Sequence, residues 1–359
     1  MTTLRRIISL FHGLKPLTAP ILALSVVACG GGTGAGTPPS PPTYGTLSVA
    51  LTNTSPDGAT DLVLHVTKAS TYWLRPAVGG NGAANVKINE FDIVDPVSGD
   101  PGYDVHLTQF TGNKTVSLFT KTVLAIDYNA VTLTVDWSQS YIEFDGAQYK
   151  LNCPDCNGYS NNKNINSIIL GGGKFNVGTN QAVKAVGYFD LRQNIYKPSD
   201  TTNPNLPYKF VPAVRVTHPG ESAQIHGTVD RSLRIDSNDT GTPPTDGCYI
   251  YVYTRQDDTS VNDVPSNILW PSPAGHVNPV KTILIDKNPL MGNTDAFPYI
   301  VPFLPAGDYT LAVTCDGPVD DPSLNEDGVD TTLPTVGFSY STNISVLPGE
   351  DVELNLPVS

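Results

Sequence analysis

The chain has 359 residues, with 32 Gly, 31 Pro and only 15% charged residues, a composition that disfavours long helices and favours short strands joined by turns. Hydrophobic residues make up 39% of the chain, which is enough to form cores and excludes a collagen-like or wholly disordered protein. The formal net charge of −13 argues against nucleic acid as a partner, because phosphate binding needs clustered Lys and Arg.

The N-terminal segment has the features of an export signal. Three basic residues precede an apolar stretch over residues 17–28, which is too short to span a bilayer, since a span needs about 20 apolar residues. The stretch ends in Val-Val-Ala directly before Cys29, which is typical of a lipoprotein cleavage site. We therefore expect residues 1–28 to be a signal peptide and Cys29 to be lipidated. An ordinary signal peptide with an unrelated cysteine is the alternative.

Residues 29–44 are rich in Gly and Pro and form the predicted tether. Gly30, rather than Asp, follows the cysteine, and resemblance to Gram-negative sorting rules then favours the outer membrane. Several acyl chains on one residue make such an attachment stable. We expect a cell-envelope protein held on the membrane by its lipid anchor, with the periplasmic and surface faces both left open.

Apolar and polar residues alternate repeatedly along the remaining chain. The alternation is clearest over four stretches, namely residues 47–51, 131–137, 309–315 and 352–356. A period of two predicts strands with one buried face, and no helical period of useful length is found. The sequence therefore predicts an all-β fold of two β-sandwich domains, of Greek-key, immunoglobulin-like or transthyretin-like type.

Turn residues at 218–221 mark the predicted domain boundary, because residues 225–229 have the pattern of a new first strand. At about 150 residues per domain, the chain length also favours two domains. We expect the first domain to span residues 45–221 and the second to span residues 222–359.

Spaced segments of the first domain carry a family pattern, at residues 45–52, 57–59, 62–68, 128–133, 145–146, 189–192 and 210–216. Together they resemble the prokaryotic lipoprotein family catalogued as domain of unknown function 4382, over roughly residues 45–220. The chain has Asn-Thr-Ser-Pro at residues 53–56, where the family usually has Asp-x-Pro. The resemblance implies an envelope location and a sandwich-like fold, and it supplies no catalytic residue.

Two segments of the second domain, residues 225–229 and 303–311, are similar to transthyretin-like modules related to carboxypeptidase regulatory domains. This resemblance implies a non-catalytic spacer or binding unit.

Four cysteines follow Cys29, and an exported protein meets an oxidising compartment in which disulfides form. Cys248 and Cys315 share strand faces with apolar residues, so we expect them to bridge two strands. Cys153 and Cys156 form a Cys-x-x-Cys motif in a loop, where we expect a local disulfide. The alternatives are half a zinc site, which lacks two further ligands, and a redox pair, which lacks the usual helix start.

Six carboxylates crowd fifteen residues near the C-terminal end without an intervening basic residue. Calcium takes six to eight oxygen ligands and suits flexible acidic loops. No cofactor is expected apart from such a structural calcium ion, and a solvated acidic loop is the alternative. The candidate ligands are Asp316, Asp320, Asp321, Glu326, Asp327 and Asp330.

Tyr249, Tyr251 and Tyr253 alternate on the face opposite Cys248, which predicts that their rings point outward. They are candidates for a glycan-binding platform. The alternatives are strand-favouring residues in cross-strand pairs, or partial burial under the first domain.

No catalytic signature is present in the sequence. The six histidines are dispersed, and there is no Gly-x-Ser-x-Gly elbow. We therefore expect a membrane-anchored protein without catalytic activity and with a binding, adhesion or scaffolding role, its partner being a polysaccharide or an envelope protein. The alternatives are a polysaccharide-active enzyme with scattered carboxylates and an accessory subunit of an envelope complex.

Overall fold

A computed structural model describes residues 41–54, 58–75, 84–156, 167–171, 174–196, 206–212, 214–234, 247–255, 279–293, 295–316 and 338–356. The predicted signal peptide, the lipidation site Cys29 and most of the tether lie outside these ranges. No helix among the described residues is long and apolar enough to cross a membrane.

The described residues between 44 and 217 contain fifteen strands, and we call this part the first β-unit. A four-residue helix, α1, follows the twelfth strand, and a 3-10 turn spans Leu107–Gln109. The elements are β1 (Tyr44–Asn53), β2 (Ala59–Arg75), β3 (Ala84–Asp92), β4 (Tyr103–His106), β5 (Val116–Leu124), β6 (Asp127–Tyr128), β7 (Ala130–Val135), β8 (Tyr141–Phe144), β9 (Ala147–Asn152), β10 (Ser167–Gly171), β11 (Phe175–Asn176), β12 (Ala182–Phe189), α1 (Leu191–Asn194), β13 (Ile195–Tyr196), β14 (Tyr208–Phe210) and β15 (Val214–Thr217).

Thirteen of these strands form one mixed sheet, whose main path runs β13-β14-β9-β8-β2-β7-β10-β15-β12-β1-β5. The pairs β1/β12, β10/β15 and β14/β9 are parallel, and the other pairs along the path are antiparallel. Residues from strands far apart in this order, such as Leu47, Leu64, Leu133 and Phe210, belong to one buried cluster. The sheet therefore curls around a single core.

The described residues between 222 and 356 form the second β-unit. A 3-10 turn spans Arg231–Leu233. The strands are β16 (Ser222–Asp230), β17 (Tyr249–Thr254), β18 (Lys281–Leu284), β19 (Ala296–Pro305), β20 (Gly307–Thr314), β21 (Tyr340–Val346) and β22 (Asp351–Glu353). They build two sheets, β19-β16-β22 and β18-β17-β20-β21. Ile225 of the first sheet and Ile250 of the second lie in the core between them. The predicted all-β class is confirmed.

Both expected disulfides are present. Cys248 and Cys315 lie at neighbouring ends of β17 and β20, with their Cα atoms 4.1 Å apart. Cys153 and Cys156 close a turn after β9, where the Cys156 N–H also donates to the Cys153 carbonyl. The sulfur atoms of a closed bridge are not thiolates, which are the form that binds zinc.

Candidate functional site

A buried carboxylate joins the two β-units. Asp190 lies between β12 and α1 and is 4% exposed. Its carboxylate accepts hydrogen bonds of 2.7 Å from both the backbone N–H and the hydroxyl of Thr282 in β18. Thr54 at the end of β1 donates to the same group over 3.2 Å, and Gln193 donates over 2.9 Å. Burial raises the pKa of Asp190, and the bonds from Thr282 oppose this shift.

A buried guanidinium makes a second contact between the units. Arg192 of α1 donates from Nη1 to the hydroxyl of Tyr251 over 2.9 Å, and its guanidinium lies 4.0 Å from the ring centre of Tyr249. Tyr249, Tyr251 and Tyr253 are all buried, and Tyr251 has no exposed surface at all. Phe338 packs edge-on against the rings of Tyr251 and Tyr253.

The predicted glycan platform of Tyr249, Tyr251 and Tyr253 is therefore wrong. The three rings do lie on the face opposite Cys248, as their alternation predicts, but a further layer covers that face. Rings without exposed surface have no face on which a sugar can stack.

A buried ammonium lies close to the carboxylate of Asp190. Lys281 of β18 is 2% exposed, donates to the carbonyl of Pro302 over 2.6 Å, and lies 3.3 Å from the ring centre of Tyr188. Burial lowers the pKa of Lys281 well below its usual value, and the charge of Asp190 opposes this shift. Lys281 thereby connects Tyr188 of the first β-unit to β19 of the second.

A cleft of about 570 Å³ opens beside this junction and is lined by both units. This volume is in the range of small-molecule and cofactor pockets. The first β-unit contributes the end of β1, the loop at residues 111–114 and Tyr188. The second contributes Ile283 and Leu284 of β18, the turn that follows β18, and Pro298, Tyr299, Ile300 and Pro302 of β19. Apolar side chains dominate the walls on the second unit.

Two buried polar oxygens belong to residues that line the cleft. Asn53 donates from its amide nitrogen to the carbonyl of Leu107, while its Oδ1 has no hydrogen-bond partner in the described part of the chain. Burial raises the pKa of Tyr188, so that the phenol keeps its proton, and a side-chain hydrogen bond with Thr54 opposes this shift. Both oxygens have almost no accessible surface, so they lie beneath the wall of the cleft and are not exposed in it.

The rim of the cleft carries more positive than negative charge. Lys114 and Lys287 are exposed, and neither forms an ion pair with a described residue. Asp286 is the one carboxylate among the lining residues that the structure describes, and it accepts a 2.9 Å bond from the backbone N–H of Asn288. Two cations against one anion is unusual in a chain with a net charge of −13.

Two His–Asp pairs on the first β-unit were not expected from the sequence. His65 Nδ1 lies 2.6 Å from Asp104, and His106 Nδ1 lies 2.6 Å from Asp61. The antiparallel register of β2 and β4 places all four side chains on one face. The sequence does show that the Asp and His of each strand are spaced to share one face. It does not show that β2 pairs with β4, which is what brings the two strands' side chains together.

The described residues contain no group of three His, Cys, Asp or Glu side chains arranged to hold a metal ion. Of the six predicted calcium ligands, only Asp316 is described, and it is buried, with its backbone N–H bonded to the hydroxyl of Thr314. The other five lie outside the described residues, so the calcium site stays a prediction. They are Asp320, Asp321, Glu326, Asp327 and Asp330.

No family model and no curated protein matches the chain. Among solved structures, a protein from Bacteroides fragilis assigned to cell adhesion is similar at 8% identity and a TM-score of 0.18, over 86% of this chain and 91% of that one. The major pilin of Streptococcus pyogenes aligns at 12% identity and a TM-score of 0.15, over 88% and 98%. A fimbrial anchor protein from Porphyromonas gingivalis aligns at 9% identity and a TM-score of 0.16, over 81% and 88%. Likenesses at these TM-scores are too loose to carry an argument about function.

Proposed function

We propose that the chain is a lipid-anchored protein of the cell envelope that binds a ligand, without catalysis, in the cleft between its two β-units. The observation that carries the proposal is the cleft itself, which both units line beside a buried polar junction. A cavity of about 570 Å³ with mainly apolar walls and a few polar side chains at its rim is what a binding site requires.

The chemistry of the cleft favours binding over catalysis. Its lining includes no His and no Cys within the described ranges, and Asp286, the one carboxylate among these residues, is exposed and bonded to a backbone N–H. A nucleophile needs a neighbouring base or a strongly lowered pKa to react at neutral pH. The groups that remain are donors and acceptors suited to holding a ligand.

The lipid anchor is proposed from the sequence alone, on the Val-Val-Ala-Cys29 motif and the Gly/Pro-rich tether after it. The tether would hold the β-units away from the membrane, and the outer membrane is the proposed location. The resemblance of residues 45–220 to a lipoprotein family of unknown function supports the same location.

An envelope protein is a better candidate partner than a polysaccharide. The glycan hypothesis depended on three exposed tyrosines, and these are buried. An accessory role in an envelope complex fits a cleft that is open at its rim.

Site-specific photo-cross-linking in the producing cell tests the binding function. A benzophenone side chain at Asn113 or Asn288, both exposed at the rim, should yield a discrete adduct. The same group at Val97, which is 95% exposed and does not line the cleft, should not. The proposal is wrong if rim and control positions behave alike.

The anchor has its own test. Cys29→Ala should move the protein from the membrane fraction to the soluble fraction and abolish incorporation of labelled palmitate. Retention of the variant on the membrane would contradict lipidation at Cys29.

A further inference from the structure

We propose that the ligand of the cleft is an extended peptide segment with acidic side chains, an inference that rests on the cleft being the binding site. The argument starts from the two strands that border the cleft, β18 and β19. Each is the edge strand of its sheet among the described strands, and each has one residue whose backbone groups face the cleft without a partner.

In β18 that residue is Leu284. The N–H of Thr282 points away from β17, because it donates to the carboxylate of Asp190. Backbone groups two residues apart along a strand point to the same side. The N–H and C=O of Leu284 therefore also face away from β17, and no described group bonds them.

In β19 the corresponding residue is Ile300. The carbonyl of Pro298 accepts from the N–H of Asp286 over 3.0 Å, and the carbonyl of Pro302 accepts from Lys281, so both point away from β16. Ile300 lies midway between these prolines and turns its own N–H and C=O to the same side. Within the described ranges these two groups have no hydrogen-bond partner.

Unpaired backbone groups on a strand edge bind another extended chain, because they supply the hydrogen bonds of an added strand. Leu284 and Ile300, which are both partly exposed, offer apolar surface to such a peptide. This combination identifies a peptide as the ligand.

The charge of the rim adds the acidic preference. Lys114 lies on the first β-unit and Lys287 on the second, so an extended peptide in the cleft passes between two ammonium groups. Asp286 opposes an acidic ligand, but it is one charge against two. A peptide that alternates apolar residues with Asp or Glu satisfies the walls and the rim together.

Selection from a phage-displayed library of random heptapeptides tests the proposal on the full chain in detergent. We expect the enriched sequences to alternate apolar residues with Asp or Glu. The synthetic peptide of the most enriched sequence should bind the double variant K114E/K287E about tenfold more weakly. Lys121→Glu, which reverses an exposed lysine of β5 that does not line the cleft, is the matched control and should leave binding unchanged.

Backbone pairing is tested separately. Ile300→Pro removes the N–H that faces the cleft without removing a bond to β16, and proline is tolerated at such edge positions. Peptide binding should fall about fivefold, as expected for one lost hydrogen bond. Ile300→Val keeps the N–H and removes only one methylene from the apolar wall, so it should weaken binding less than Ile300→Pro does.

Three results would overturn the peptide proposal. Enriched sequences without acidic residues would remove the charge argument, and equal binding to Ile300→Pro and Ile300→Val would remove the backbone argument. If no peptide is enriched while cross-linking at the rim still gives an adduct, the ligand belongs to another class and the proposed function stands. Failure of both experiments would overturn the proposed function as well.

Discussion

Asp190→Ala is the change that most directly tests how the two β-units are joined. The carboxylate is buried and accepts the backbone N–H and the hydroxyl of Thr282. Alanine leaves that N–H buried without an acceptor, which costs about 1–3 kcal/mol. It also removes a carboxylate whose charge interacts with Arg192 and Lys281. We therefore expect the variant to lose about 2–3 kcal/mol of unfolding free energy.

Asp190→Asn separates the hydrogen bonds from the charge. The amide oxygen can still accept from the N–H of Thr282, and the amide nitrogen can donate to the hydroxyls of Thr54 and Thr282, which rotate to accept. We therefore expect a loss of about 1 kcal/mol at neutral pH. Urea unfolding followed by circular dichroism gives both values from the midpoint and the slope. The reasoning is refuted if the two variants are equally destabilised, or if the alanine variant loses less than about 1 kcal/mol.

Three further predictions concern stability. Burial raises the pKa of Asp190 above 3.8, so the folded state binds the proton of this carboxyl group more tightly than the unfolded state does. The resulting stabilisation of the folded state is lost as pH rises through the raised pKa. Urea titrations from about pH 4 upward should therefore show that the difference in unfolding free energy between the original chain and Asp190→Asn shrinks, by at most about 1.4 kcal/mol per pH unit. A difference that grows with pH would contradict the assigned direction of the pKa shift. Removing the Cys248–Cys315 bridge in the double variant C248A/C315A should lower the unfolding free energy by about 4 kcal/mol, since this bridge closes a loop with a sequence separation of 67. Removing the local Cys153–Cys156 bridge should cost about 2 kcal/mol. Equal losses in thermal or urea unfolding would contradict the loop-entropy argument. Gly227→Ala should lose more than about 1 kcal/mol of unfolding free energy, because its Cβ would overlap the backbone carbonyl of Leu354. Gly220→Ala, which has open space around it, should be neutral, and equal unfolding midpoints for the two variants would contradict this packing argument.

Much of the local structure could be predicted from alternation. Val131, Leu133 and Val135 are buried as their period of two indicates, and all four stretches that alternate most clearly contain strands. The pairing of Cys248 with Cys315 followed from the same phase argument, because both share strand faces with core residues. Period two reports which face a side chain occupies, and this information is local to each strand.

The partners of those strands could not be predicted. β1 pairs in parallel with β12, more than a hundred residues later in the chain, and also with β5. The His–Asp pairs on β2 and β4 depend on the register of those two strands, and the cleft depends on loops and edges from both β-units. Contacts of this kind depend on chain topology, which a single sequence does not display.

The buried tyrosines show the same limit from the other direction. Their alternation places them correctly on the face opposite Cys248. Their position on this face does not make the rings exposed, because a sheet face can be covered by a second layer. Here the short turn at α1 brings Arg192 onto Tyr249 and Tyr251, and no periodic pattern marks a four-residue helix.

The same turn explains how the second β-unit protects its strand edges. Exposed edges invite unwanted pairing, and proteins blunt them with prolines or with groups that occupy the backbone. Asp190 occupies the N–H of Thr282, while Pro298 and Pro302 have no N–H and have their carbonyls already bonded. Backbone groups at alternate positions of β18 and β19 are thus occupied or absent. The free N–H and C=O groups of Leu284 and Ile300 stand out against this pattern. An edge that is closed at these neighbouring positions and open at Leu284 and Ile300 is what the proposed added strand requires.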